Sequence, residues 1–310
     1  MNWLVLVLAA TILDSVRIFI DNYTSDVYFK DKGAVSQKLF YGWFWVIVAI
    51  IILTITEFDF SSVAPVTLFL IFFSGFLGSF SGIPYYKALE IEESTNLGIF
   101  IQLAPILYLV LGWLFLGDTF SPIQLIAFFI ILIAPFLIII TTKKRSRKIK
   151  IKAVFYAAIY VLIAVIANLI FVKNHVPDIN FISELGIVFL GSGTAGLVMT
   201  YCNPKWRKRF HTVFRNSKGK VLIPLLLNSA VGMVKTFCYR AGLIAAPAVA
   251  LASVTSDSIE PIIIFFMGIV LTVIWPKFGR EKLNKKTVQV HLVATVLVVI
   301  GIVLLQLPNM

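Results

Sequence analysis

Ionisable side chains interrupt this apolar sequence at few places, and those are the places where chemistry can be done. Asp14, Arg17 and Asp21 fall at i, i+3 and i+7, which puts all three on one face of a helix. Asn228, Gly232, Lys235 and Tyr239 fall at i, i+4, i+7 and i+11 and make a second polar stripe. Ser253, Ser256, Asp257 and Glu260 occupy adjoining positions of one face just before Pro261. That proline has no N–H to give the preceding turn, so a carbonyl there can face a cavity. Charges of both signs in apolar surroundings can hold the two ends of a zwitterion, neutralise each other or carry a proton. The primary candidates for ligand binding are Asp14, Lys235 and Glu260, each near the middle of its apolar run. Arg17, Gln102, Asn228, Tyr239, Ser256 and Asp257 are the secondary ones. Gln102 contributes a neutral group that both donates and accepts. The competing reading keeps the first triplet as an ion-pair ladder and joins Lys235 to Glu260 as a structural pair.

The elements that must position these residues follow from composition. The chain has 310 residues, 59% hydrophobic and 14% charged, whereas soluble domains run at about 45–50% apolar and about 25% charged. That excludes an ordinary soluble enzyme, a disordered tail and a disulfide scaffold. A spanning helix needs about 20 apolar residues. Ten runs qualify: 3–20, 39–55, 63–86, 96–116, 121–140, 153–172, 184–201, 221–244, 249–275 and 288–307. The runs are continuous instead of alternating, so they read as helices and not as a β-barrel. The expected class is an all-α integral membrane protein. The first run lacks a basic leader and a small-residue cleavage site, so it is expected to remain as a mature helix.

Net charge is +12, and its placement argues for membrane topology over nucleic acid. Residues 143–152, 205–220 and 277–286, with Lys30, Lys32, Lys38 and Lys87, hold 23 of the 27 basic side chains, all in expected loops on one side. Positive-inside reasoning puts those loops in the cytoplasm of a multi-pass cell-membrane protein, with both termini outside. Residues 205–220 also suit anionic lipid headgroups. Tyr41, Trp43 and Trp45 are expected as an interfacial aromatic belt. Gly75, Ser79 and Gly82 share a face that permits close helix packing.

Tyr86-Lys87-Ala88 closes the third run and Tyr239-Arg240-Ala241 closes the eighth, 153 residues later. Each precedes a helix containing a proline, Pro105 and Pro261. Five spans per copy is an odd number, so the copies must be inverted, which is a transporter architecture. The expected divisions are a first five-helix repeat over 1–142, a basic linker 143–152 and a second, inverted five-helix repeat over 153–310. Gln102-Leu103-Ala104-Pro105, Leu116-Gly117-Asp118 and Pro122-Ile123-Gln124-Leu125 follow Ala88, and Ser258-Ile259-Glu260-Pro261 lies in the second copy. In these features the chain resembles the drug/metabolite transporter superfamily, EamA type. Asp118 stands where the family usually has Glu. The resemblance implies ten helices in two repeats, and many family members have cytoplasmic termini, whereas the charges here place them outside.

No P-loop, HExxH or Ser/His/Asp constellation is present, so neither an enzyme nor a cofactor is expected. His175, His211 and His291 are scattered, and no metal site is expected. The leading expectation is a secondary transporter of a small polar, amino-acid-like metabolite working by alternating access, with proton or ion coupling open to it. Its partners are a small-molecule substrate and membrane lipids, and the sequence fixes no oligomeric state. The alternatives are an exporter of small organic cations, a non-transporting membrane scaffold, or a lipid-handling flippase.

Overall fold

Apolar runs that must satisfy their own backbone groups in lipid fold as helices, and the computed structural model, which describes residues 2–29, 34–89, 103–142, 150–274 and 285–306, shows no strand among those residues. The helices are α1 (Trp3–Thr24), α2 (Lys38–Ile55), α3 (Pro65–Phe80), α4 (Gly82–Leu89), α5 (Ala104–Leu116) and α6 (Pro122–Thr142). They continue as α7 (Ile151–Lys173), α8 (Phe181–Tyr201), α9 (Pro204–Asn216), α10 (Leu222–Ala245), α11 (Val249–Ile274) and α12 (Lys285–Gln306). Among the described residues, eight stretches are long and apolar enough to cross a membrane. The expected fourth and fifth spans are represented by the shorter apolar helices Ala104–Leu116 and Pro122–Ile138, and residues 96–102 lie outside the described residues.

The third expected span is broken at Ser81 between α3 and α4. Pro84 has no N–H for the carbonyl of Phe80, and Gly82 is a weak helix former. The chain divides into two compact units, each drawn from both halves of the sequence. One holds Met1–Val16, Glu92–Val154 and Val234–Met310; there α11 packs on α5, α6 and α12, and α6 packs on α12. The other holds Arg17–Ile91 and Phe155–Met233; there α8 packs on α2 and α3.

Close approach in the second unit depends on glycine. A Cβ added at Gly191 would strike the Phe72 carbonyl, and one at Gly75 would strike the Val188 carbonyl. Ser192 Oγ donates to the Gly75 carbonyl at 3.0 Å, so α3 and α8 meet backbone to backbone. The α8 N-terminus is capped by Asn180, whose Oδ1 accepts from the Ile182 N–H at 2.9 Å. One turn on, fully buried Glu184 meets His175 Nδ1 at 2.7 Å.

Three expectations change here. Residues 205–220, expected as a loop, begin with helix α9, because Asn203 caps it and Pro204 occupies its first turn. Its Trp206, Phe210 and Val213 recur at helical spacing, and buried Phe210 joins a cluster with Phe29, Leu39, Val221 and Leu225. Of the expected aromatic belt, Trp43 is exposed, whereas Trp45 stacks on Phe189 at 4.6 Å and the Tyr41 hydroxyl donates to Asp21 at 3.2 Å. Packing and hydrogen bonding claim these two rings before the interface can. Lys38, counted among loop charges, is the first residue of α2 and donates to the Ser79 carbonyl at 3.3 Å.

Gly117, in the left-handed region at φ 75°, ends α5, and Asp118 then turns its carboxylate onto α11. Its Oδ2 accepts from the Val249 N–H at 3.2 Å, a first-turn donor that lacks an intrahelical acceptor. Burial pushes the Asp118 carboxyl above its ordinary value, and the Val249 hydrogen bond pulls the other way. A raised folded value means the fold favours the protonated acid, so this group's contribution rises as pH falls through that value toward the unfolded one near ~3.9. Asp118→Asn keeps an acceptor for Val249 and removes the charge. Its stability at pH 7 is expected to match or exceed wild type by less than about 1 kcal/mol, the group being partly screened. On acidification toward pH 5 the wild type should gain more than the variant in thermal unfolding; a variant that loses stability at pH 7 would contradict this.

Candidate functional site

The polar stripe of α1 meets the polar stripe of α10. In the first unit, Lys235 Nζ lies 2.8 Å from Asp14 Oδ2. The two side chains keep 22% and 29% exposure, although both sit within spans. The same ammonium lies 5.1 Å from the centroid of the Tyr239 ring, one turn further along α10. Tyr239 hydrogen-bonds with Ser253 and Tyr108, which brings α10, α11 and α5 together around one phenol.

On α11, Ser253 Oγ donates to Asp257 Oδ2 at 3.0 Å, and Asp257 lies within the electrostatic reach of Lys235 and Asp14. Ser256 is buried and shares a hydrogen bond of 2.9 Å with Thr11 of α1. Glu260 follows Asp257 by one turn, half-buried, immediately before Pro261. Pro261 offers no N–H to the Asp257 carbonyl four residues back.

In the second unit, Arg17 Nε donates to Asn228 Oδ1 at 3.1 Å, and Asn228 Nδ2 donates to Asp21 Oδ1 at 2.6 Å and to the Tyr41 hydroxyl at 2.8 Å. A Cβ at Gly232 would come 3.1 Å from Arg17 Nε, so glycine there lets the guanidinium lie against α10.

Of the residues singled out in the sequence, Asp14, Lys235, Tyr239 and Asp257 therefore come together in one unit, with Ser256 and Glu260 on the same α11. Arg17 and Asn228 come together in the other. Gln102 lies outside the described residues. The partner the structure gives Lys235 is Asp14, a pairing the sequence reading did not make. That reading also missed Thr11, Tyr108 and Tyr41 as members of these networks. A hydroxyl in an apolar helix carries no periodic signal of its own, since it can bond its own backbone as Thr11 does to the Val7 carbonyl at 2.8 Å.

Apolar helices that join ionised and phenolic side chains along their lengths define a polytopic membrane protein with a polar interior. The EamA-like transporter family, which belongs to the drug/metabolite transporter superfamily, matches residues 35–140 of this chain. Members of that family are transporters and not enzymes. A solved crystal structure of a protein is similar over 98% of this chain and 96% of its own, with TM-score 0.68 and 13% identity. That likeness speaks to fold alone. No curated protein matches the chain.

Proposed function

We propose that this chain is a secondary transporter of a small polar, amino-acid-like metabolite, working by alternating access of two inverted five-helix repeats over 1–142 and 153–310. The observation that carries the reading is the Asp14–Lys235 pair. Both members sit within spans, yet both retain exposure, so a substrate ammonium can compete for Asp14 and a substrate carboxylate for Lys235. Full enclosure would cost both charges their hydration, whereas partial exposure leaves each within reach of a polar ligand. Asp257 and Glu260 add carboxylates on α11 that can take a substrate amine or a coupling proton.

Asp14 and Asp257 near one lysine and the Tyr239 ring, with Glu260 further along α11, also favour a second reading, export of small organic cations. A thermal-shift series on the purified protein separates the two, because a ligand that binds only the folded state raises its stability. Amino acids are expected to stabilise it; a response to organic cations alone would replace the first reading with the second.

The positive-inside bias supports termini outside and residues 143–152 and 205–220 in the cytoplasm. Cys202, a free and exposed thiol just before α9, is a native reporter. With Cys238 replaced by Ala, a membrane-impermeant maleimide is expected to spare intact cells and to label inside-out vesicles. Labelling of intact cells would reverse the orientation.

A further inference from the structure

The unit that holds Arg17 also holds Asp21 and Lys38, whose charges act on one another. Lys38 makes no ion pair among the described residues; its ammonium donates to the Ser79 carbonyl at 3.3 Å, at the break between α3 and α4. A Cβ placed at Gly82 would lie 2.9 Å from that ammonium and 3.8 Å from the Tyr86 ring, so the two side chains converge over this glycine. Arg17 and Asp21 both act on Lys38 through their charges, and both act on Tyr86. Asp21 already receives hydrogen bonds on Oδ1 from Asn228 and Tyr41. The Tyr86 hydroxyl donates to no group among the described residues, and its ring packs edge-on to Tyr85.

A lysine with no ion pair among the described residues and an unused hydroxyl donor inside apolar spans are costly unless a ligand answers them. The geometry points to Arg17, Lys38 and Tyr86 as a binding site for a small oxyanion, the carboxylate or phosphate of a solute or of a lipid headgroup. Guanidinium, ammonium and phenol are the donors such groups take in charge-assisted hydrogen bonds. The site deepens the transport reading by naming the charge class of one group of the cargo, and it rests on that reading only for the ligand's being cargo.

The full chain in phosphatidylcholine nanodiscs, titrated with inorganic phosphate and with acetate at constant ionic strength, tests it by thermal shift. Either anion is expected to raise the wild-type midpoint. Lys38→Gln, which keeps a donor for Ser79, should lose about tenfold or more in affinity, and Tyr86→Phe a smaller share. Lys38→Arg should retain the response and shows that the fold survives change at this position. In a second arm, phosphatidylglycerol replaces part of the lipid; a Lys38-dependent shift found only there assigns the site to a headgroup. The proposal is overturned if neither source shifts the wild type, or if Lys38→Gln responds as the wild type does. An anion shift without substrate flux would end the transport reading and leave this site standing; flux without the shift would do the reverse.

Discussion

Lys235→Met is expected to reduce substrate flux in proteoliposomes by about a hundredfold, since one charge-assisted contact to substrate is worth roughly 1.5–3 kcal/mol. Folded protein should still reach the membrane. The Asp14–Lys235 pair is partly exposed, so breaking it costs less than the ~3–5 kcal/mol of a buried pair. Asp14→Asn and Glu260→Gln are expected to act in the same direction. The double change Asp14→Asn/Lys235→Met discriminates between roles. If the pair only neutralises two charges, the double variant recovers both folding and flux. If it binds cargo, folding recovers and flux does not. Wild-type flux in both single variants would remove these residues from the site.

Gly191→Leu is expected to abolish accumulation of folded protein. The atom a Cβ meets there is the Phe72 carbonyl, and beyond it the Phe76 backbone nitrogen at 3.0 Å, neither of which can rotate aside. Separating α3 from α8 removes one of the two principal helix packings of the unit, a loss of several kcal/mol on the scale of a poorly accommodated core change. Gly75→Val should behave alike, because it faces the Val188 backbone. Gly78, on the same α3, has nothing within 4 Å of an added Cβ, so Gly78→Ala should stay within about 0.5 kcal/mol of wild type. Equal tolerance of all three changes, read by size-exclusion chromatography and thermal unfolding, would show that the close approach is dispensable.

The two polar stripes were legible because helical periodicity is a one-dimensional pattern. The spacings of Asp14, Arg17 and Asp21 and of Asn228, Gly232, Lys235 and Tyr239 survive in the structure as the faces that meet. Which stripe faces which was not legible, since partner choice between helices depends on packing that no spacing encodes. Glu260 was a natural guess for Lys235, as both are ionised and lie near mid-span, yet Asp14 makes the contact. Lys38 was misjudged for a related reason. A lysine at the edge of an apolar run looks the same in sequence whether it points to water or folds back onto a neighbouring helix. Helix α9 was hidden by its charges, although Asn203, Pro204 and the Trp206–Phe210–Val213 spacing mark it in retrospect.

The meeting of α1 with α10 also constrains the order in which this protein can be made. Arg17 and Asp21 find Asn228 only 211 and 207 residues later in the chain. At about 5–20 residues per second of synthesis, the first helix waits roughly 10–40 s for that partner to emerge. During that interval three charged side chains stand on a segment that must already be placed, each costing about 2.5–3.5 kcal/mol at the bilayer centre. The first helix is long and apolar enough to cross a membrane, but its polar face meets α10 only after that interval. Until the C-terminal half arrives that face favours a wet or protein-lined surface over lipid, so the packing of the first element is completed only when the last third of the chain is made.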